Sequence, residues 1–382
     1  MLSLGGDAVN VPVAILGNGV SGYSCAFQLA KRGITPLLIG PGPVVDRPPL
    51  SKQALTDGAP VLLATEDKLA EKGIDRLDGE VVAVDLELRQ AHVRTAEGLR
   101  IVSAEHLVIA LGLAYDVLPF DGAAETIVSA TPAGARALAA ELETPRDVIV
   151  VGGGLVGVET AVTLASTVHT VRILDIEQRP LHRLHEPIPS LAEGYLDELG
   201  VGFVGGVRIE EVRSVGERRE VRTSTHGVLS TDVVVAATGG RPVRLLGLDG
   251  VAWPAEVDAG MRLPGHEKVY VIGDLAAPVH VRHGRLPMPH WDMAIRTGEL
   301  AASTIAGESA VLDHPPYWWS EIGSHRLSEF GVAAEATSWS SEDGLHIGRD
   351  QHGDVVAVLL VDQPRRVREA RTLLAGERHS VS

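Results

Sequence analysis

An α/β protein with two three-layer nucleotide-binding domains and a small C-terminal α+β domain is the fold class the sequence predicts. Three observations carry it. Three short runs rich in Val and Ile end in glycine: VAILG (13–17), VIVVG (148–152) and VYVIG (269–273). Two of them open into a GxGxxG pattern ahead of a helical stretch. The β-rich segments between them return each time to a nucleotide-binding pattern, as expected when one domain interrupts another.

Taken in order, VAILG reads as a buried parallel strand whose C-terminal end faces a ligand crevice. Gly17, Gly19 and Gly22 then lead into a helix closed by Gly33 as its C-cap, and TPLLIG follows as the second strand. Residues 77–110 alternate like antiparallel strands, with a hairpin signal at Glu97-Gly98. The second unit repeats the plan 135 positions later, counting Gly17 to Gly152: Gly152, Gly154 and Gly157 precede a helix, and VRILD is the next strand. Residues 201–238 alternate again and end in DVVVAATGG, whose Gly239 is a candidate nucleotide contact. Paired prolines after Asp313 mark a linker to the last module. The expected domains are 1–114 with 239–312, 115–238, and 313–382.

The chain of 382 residues, 45% of them hydrophobic, can bury more than one core. Its balance of 34 basic and 50 acidic side chains, a net charge of −16, disfavours nucleic acid and anionic membrane surfaces as partners. No apolar run approaches the ~18 residues of a membrane helix, and the N-terminal stretch lacks a signal-peptide pattern, so a cytoplasmic address is expected. A single cysteine, Cys25, excludes relay through a redox disulfide and reads as a packed core thiol. His280, His283 and His290 lie in a proline-rich loop, but their spacing does not argue for a metal, and none is expected.

In a GxGxxG turn glycine permits the tight bend and lets backbone N–H groups approach a pyrophosphate at the positive end of a helix. A carboxylate about 20 residues on usually holds the adenosine ribose. In the second unit this is Asp175, 23 positions after Gly152, whose charge would repel a 2′-phosphate and so favours NADH over NADPH. At the same offset from Gly17 stands Gly40, and Pro41, Gly42 and Pro43 supply no carboxylate either. Losing that charge-assisted bond should weaken dinucleotide binding by about 1.5–3 kcal/mol. Asp274, at the end of VYVIGD, could hold a ribityl hydroxyl or cap the next helix.

DRPPLSK (46–52), GGGLVGVETA (152–161), VYVIGD (269–274), HW (290–291) and PYWWSE (316–321) together resemble, in the same order, the signature series of the FAD-dependent ferredoxin reductases. These include the rubredoxin, putidaredoxin and rhodocoxin reductases and are similar in fold to glutathione reductase, with Rossmann-like domains. The resemblance implies an FAD site using Gly17, Gly19, Gly22, Arg47, Lys52, Ala110, Gly112, Asp274, His290 and Trp291. It implies an NADH site using Gly152, Gly154, Gly157, Glu159, Asp175 and Gly239. Lys52 resembles the lysine beside the flavin that pairs with a glutamate, here Glu159, and a cation there favours the reduced ring. Trp319 matches an aromatic presented to the isoalloxazine, and Trp318 stands where a phenylalanine is usual. The sequence departs from the family at Gly40, at Ala110-Leu111-Gly112 in place of Ala-Thr-Gly, and at Val44-Val45 in place of Pro-Tyr.

The implied activity is hydride transfer from NADH to FAD and one-electron delivery to a small acidic iron–sulfur protein, a ferredoxin or similar, serving an oxygenase or P450-type system. Arg282 and Arg285, or Arg365, Arg366, Arg368 and Arg371, are the candidate docking cations. Two other readings use the same residues: an NADH oxidase or small-molecule reductase such as a quinone reductase, and a non-catalytic nucleotide-binding interaction protein. A monomer and a homodimer are equally compatible with the sequence.

Overall fold

The computed structural model describes residues 9–52, 54–55, 59–115, 120–166 and 170–375. They fall into two compact units: those within 1–46, 62–114 and 242–314 in one, and those within 47–61, 115–241 and 315–382 in the other. The expected boundaries differ from this division at 47–61, which groups with the second unit because Ser51 and Lys52 both bond to Glu159. The second unit also takes in the C-terminal residues expected as a separate domain.

In the first unit, Val9–Leu16 is the central parallel strand, buried over its last four residues, flanked by Pro36–Gly40 and Gly98–Ile109. Asp75–Asp78 extends the parallel sheet beyond Pro36–Gly40, and Val269–Val271 pairs with Gly98–Ile109. The alternation read over 77–110 is only half antiparallel. Gly98–Ile109 pairs antiparallel with Gln90–Thr95 at its start and runs parallel to Val9–Leu16. Hydrophobic alternation reports which face is buried, not the direction of the neighbour. The hairpin loop is Ala96-Glu97, and Gly98, at φ 124°, opens the next strand. Helix Val20–Lys31 ends as expected, with Gly33 at φ 75° and the Ile34 N–H returning to Leu29 O. Helix Trp291–Ile305 packs on it where Gly298 faces Ser21 and Cys25, and a Cβ there would stand 2.5 Å from Ser21 O. Cys25 is fully buried in this seam, and burial pushes its thiol pKa up to about 12.

The second unit holds a five-stranded parallel sheet in which Asp147–Val151 lies between Val233–Ala236 and Thr170–Leu174. Gly202–Val204 joins its edge in parallel, so the expected antiparallel excursion is confined to Ile209–Val215, Arg218–Thr223 and Gly227–Thr231. Residues 317–361 form a five-stranded antiparallel sheet, and helix Val367–Ala375 packs on it through Ala370 and Leu374. Among the described residues no helix is long and apolar enough to cross a membrane.

Candidate functional site

Both nucleotide turns are built by the same device. Gly17 has φ 119° and Gly152 φ 112°, and a Cβ on either would overlap a backbone carbonyl, that of Ala110 or of Ala237. Ala110-Leu111-Gly112 and Ala237-Thr238-Gly239 are thus equivalent, and both last glycines have positive φ. The carbonyl of Ala110 makes this contact, so leucine in place of threonine beside it leaves the turn intact. Gly22 and Gly157 sit against the carbonyls of Gly17 and Gly152, and a side chain at either would overlap them. Gly19 and Gly154 are different. Each is the N-cap of its helix, each lacks a side-chain cap, and a Cβ on either would meet nothing within 4 Å. This open space before uncapped N–H groups fits a pyrophosphate in both units.

In the second unit the turn borders a cavity of about 570 Å³, lined among others by Tyr115, Leu155, Asp175, Arg183, Val207 and Gly239. Asp175 ends Thr170–Leu174 with its carboxylate fixed by the backbone N–H groups of Gly153 and Glu177, the latter at 2.7 Å. It is mostly buried and retains acceptor capacity for a ribose hydroxyl.

Lys52 Nζ lies 3.0 Å from Glu159 Oε1. Glu159 is only 7% exposed, yet fully partnered: Ser320 Oγ donates to Oε1 at 2.6 Å and Ser51 Oγ to Oε2 at 2.8 Å. Thr163 Oγ1 donates to Ser51 O at 3.1 Å, which ties the one-turn helix Pro48–Ser51 to helix Leu155–Ala165. Neither serine was singled out in the sequence, although both stand inside quoted motifs, RPPLSK and PYWWSE.

Strand Tyr317–Ile322 alternates in burial, so Trp318 and Ser320 point into the unit while Trp319 is half-buried, stacked on Tyr317 at 5.5 Å. Trp318 Nε1 donates to Glu329 Oε1 at 2.9 Å, and the other carboxylate oxygen bonds to His185 Nε2. His185 stacks on Trp339 and directly follows the segment 181–184 that lines the cavity. Burial works against its charge, but the Glu329 bond and charge together with the Glu186 carbonyl outweigh it and raise its pKa.

The other expected FAD residues are placed as follows. Asp274 lies in the short turn Gly273–Leu275, and Thr297 Oγ1 accepts the Gly273 N–H at 2.9 Å. Asp274 is not the N-cap of that turn, which is Ile272. His290 is the N-cap residue of Trp291–Ile305, and Trp291 Nε1 donates to Asp46 Oδ1 at 2.8 Å, holding the start of DRPPLSK. Arg47 is exposed, with its guanidinium 5.2 Å from the Tyr115 ring. His280 commits both ring nitrogens to backbone groups: Nε2 meets His314 O beyond the following helix, and Nδ1 accepts from the N–H groups of Arg282 and His283 in its own loop. Among the described residues no cluster of His, Cys, Asp and Glu is arranged to hold a metal.

The chain is similar to known electron-transfer proteins over nearly all its length. It is 29% identical over 402 residues to the ferredoxin reductase component of chlorobenzene dioxygenase from Cupriavidus sp. (strain PS12), covering 96% of this chain and 94% of the relative. To rhodocoxin reductase of Rhodococcus erythropolis it is 26% identical over 391 residues, covering 96% and 90%. In fold it is similar to the ferredoxin reductase for the CYP199A2 system of Rhodopseudomonas palustris, at a TM-score of 0.83 and 24% identity over 92% and 91% of the two chains. Two uncapped glycine turns of one design, a carboxylate fixed by backbone N–H groups beside the second, and a family pattern matched over residues 11–298 lead to one conclusion: the chain belongs to the pyridine nucleotide-disulphide oxidoreductase family, here without the disulfide.

Proposed function

We propose that this protein takes electrons from NADH through FAD to a small iron–sulfur protein of the ferredoxin type. The single observation that carries the reading is that both glycine turns are open and uncapped before their helices. When bound, the flavin supplies the redox chemistry, accepting two electrons as a hydride and releasing them singly. The chain's own work is binding, orientation and charge placement. Gly19 and Gly154 leave room for the two pyrophosphates, and Asp175 selects a ribose without a 2′-phosphate. Glu159, held by Ser51 and Ser320, fixes the ammonium of Lys52, whose positive charge favours the reduced flavin. Trp319 is the aromatic assigned to order the flavin ring. The partner is acidic, as small iron–sulfur carriers served by such reductases are expected to be from the resemblance, and the protein works in the cytoplasm as a monomer or homodimer.

The test is to follow the visible flavin absorption of the holoprotein while one equivalent of NADH is added, with and without an iron–sulfur protein from its own source. Bleaching by NADH followed by reduction of the partner is the expected result. Bleaching with no reduction of any such partner overturns the acceptor, and a protein that binds no flavin overturns the whole reading.

A further inference from the structure

The two nucleotide turns share a plan, so their ribose ends can be compared position by position. In the second unit the strand-end residue is Asp175 and the residue between the first two glycines is Gly153. A Cβ on Gly153 would stand 3.0 Å from Asp175 Oδ2, so the carboxylate fills the space beside that glycine. In the first unit the equivalent positions are Gly40 and Asn18. The side chain has changed places: a Cβ on Gly40 would stand 2.5 Å from Asn18 Oδ1 and 2.6 Å from its Cγ. Asn18 therefore lies across the end of the strand from which the usual carboxylate projects.

Its orientation is fixed by what surrounds it. The Asn18 amide nitrogen faces three carbonyls, donating to Pro41 O at 3.2 Å and Gly42 O at 3.1 Å, with Pro43 O at 3.4 Å. The loop that offers them is tied in place. Arg76 Nη2 donates to Gly40 O at 2.7 Å and Gly42 O at 2.5 Å, and Asp78 Oδ1 accepts the Gly42 N–H at 2.8 Å. With Nδ2 committed to acceptors, Oδ1 is the amide's remaining acceptor, and no donor within the described residues is bonded to it.

We propose that Asn18 recognises the adenosine ribose of the dinucleotide held by the first unit, its Oδ1 accepting the 2′-hydroxyl in the role of the missing strand-end carboxylate. The proposal rests on the flavin reading above. A neutral acceptor forms a weaker bond than a carboxylate, so Asn18 offsets part of the loss expected from Gly40 rather than all of it. Asp78, paired opposite Gly40 in the adjoining strand, is the other group close enough to compete for the role.

The experiment titrates full-length apoprotein with FAD and with its 2′-deoxyadenosine analogue, reading flavin fluorescence. Wild type should favour FAD by about three- to tenfold, the worth of one neutral hydrogen bond. Asn18→Ala should bind both ligands alike and FAD about three- to tenfold more weakly than wild type, whereas Asp78→Asn should keep the preference. NADH binding by the second unit reports that each variant is folded. Gly40→Glu alone should bind FAD poorly, because its side chain meets Asn18, and adding Asn18→Gly should restore binding to at least the wild-type level. If Asn18→Ala fails to fold, this double variant decides, and its failure to bind FAD overturns the proposal. An Asn18→Ala protein with wild-type affinity and preference, or loss of preference in Asp78→Asn instead, also overturns it. Wild type that binds NADH but no FAD overturns the flavin reading itself.

Discussion

A methyl group added at Gly154 and one added at Gly157, three residues apart, test different physics. Gly154 has ordinary extended backbone and open space before it, so Gly154→Ala should leave the apoprotein's melting temperature unchanged while its methyl enters the pyrophosphate site. Gly157 abuts the Gly152 carbonyl, so Gly157→Ala should cost about 1–3 kcal/mol of stability whether or not ligand is present. Thermal melts with and without NADH separate the two, and equal destabilisation would contradict the assigned roles. The glycines were legible because only a residue without Cβ serves where a carbonyl or phosphate comes close. Asn18 was not, because it occupies a variable place in GxGxxG and acquires meaning only by lying across Gly40. Ser51 and Ser320 were hidden for a similar reason: each is a common small polar residue until a buried carboxylate is found between them.

At the scale of the element, strand Tyr317–Ile322 sends two inward side chains to two buried carboxylates, Ser320 to Glu159 and Trp318 to Glu329. The second carboxylate continues to His185, next to the cavity-lining segment 181–184. Because the folded state raises the His185 pKa, the His185–Glu329 bond adds stability that is fully present below the unfolded histidine pKa. It is lost as pH rises through the raised folded value. His346, whose own pKa is lowered by burial and by the His185 charge, opposes this slightly. Urea unfolding of wild type and His185→Gln should therefore differ most at pH values below the unfolded histidine pKa of about 6.5, with the difference shrinking as pH rises. A difference that grows with pH would refute the pairing. The tryptophan pair of this strand was visible in the sequence, but its division of labour depends on strand parity and on a histidine 133 positions earlier than Trp318. The long strand Gly98–Ile109 shows the same boundary, since its alternation marked burial while the parallel partner came from the distant Val9–Leu16.

For the whole molecule, a net charge of −16 means that an acidic partner must meet a local cluster of positive charge. The structure narrows the candidates. Arg285 Nη1 bonds to the carbonyls of Val257 and Ala277, and Arg366 pairs with Glu369 through two hydrogen bonds. Arg365 is exposed in the short turn Pro364–Arg366 that precedes the last helix, Arg368 is exposed at that helix's start, and Arg371 lies on its next turn over the Phe330 ring. Reversing charge with Arg368→Glu should slow reduction of an acidic iron–sulfur partner about tenfold at low ionic strength, with the gap closing near 0.5 M salt. Turnover of NADH with a small oxidant should stay unchanged, and an equal loss in both assays would place Arg368 elsewhere. The order of units along the chain was readable because each glycine turn must follow a buried strand; the grouping of 47–61 was not, because it depends on a lysine and a serine finding Glu159. Cys25, sealed between two helices with its thiol pKa near 12, is unreactive at neutral pH and stands alone in the sequence. The described chain is therefore a quiet background for thiol chemistry: one cysteine introduced on the last helix would take a single dye or spin label while Cys25 stays in place.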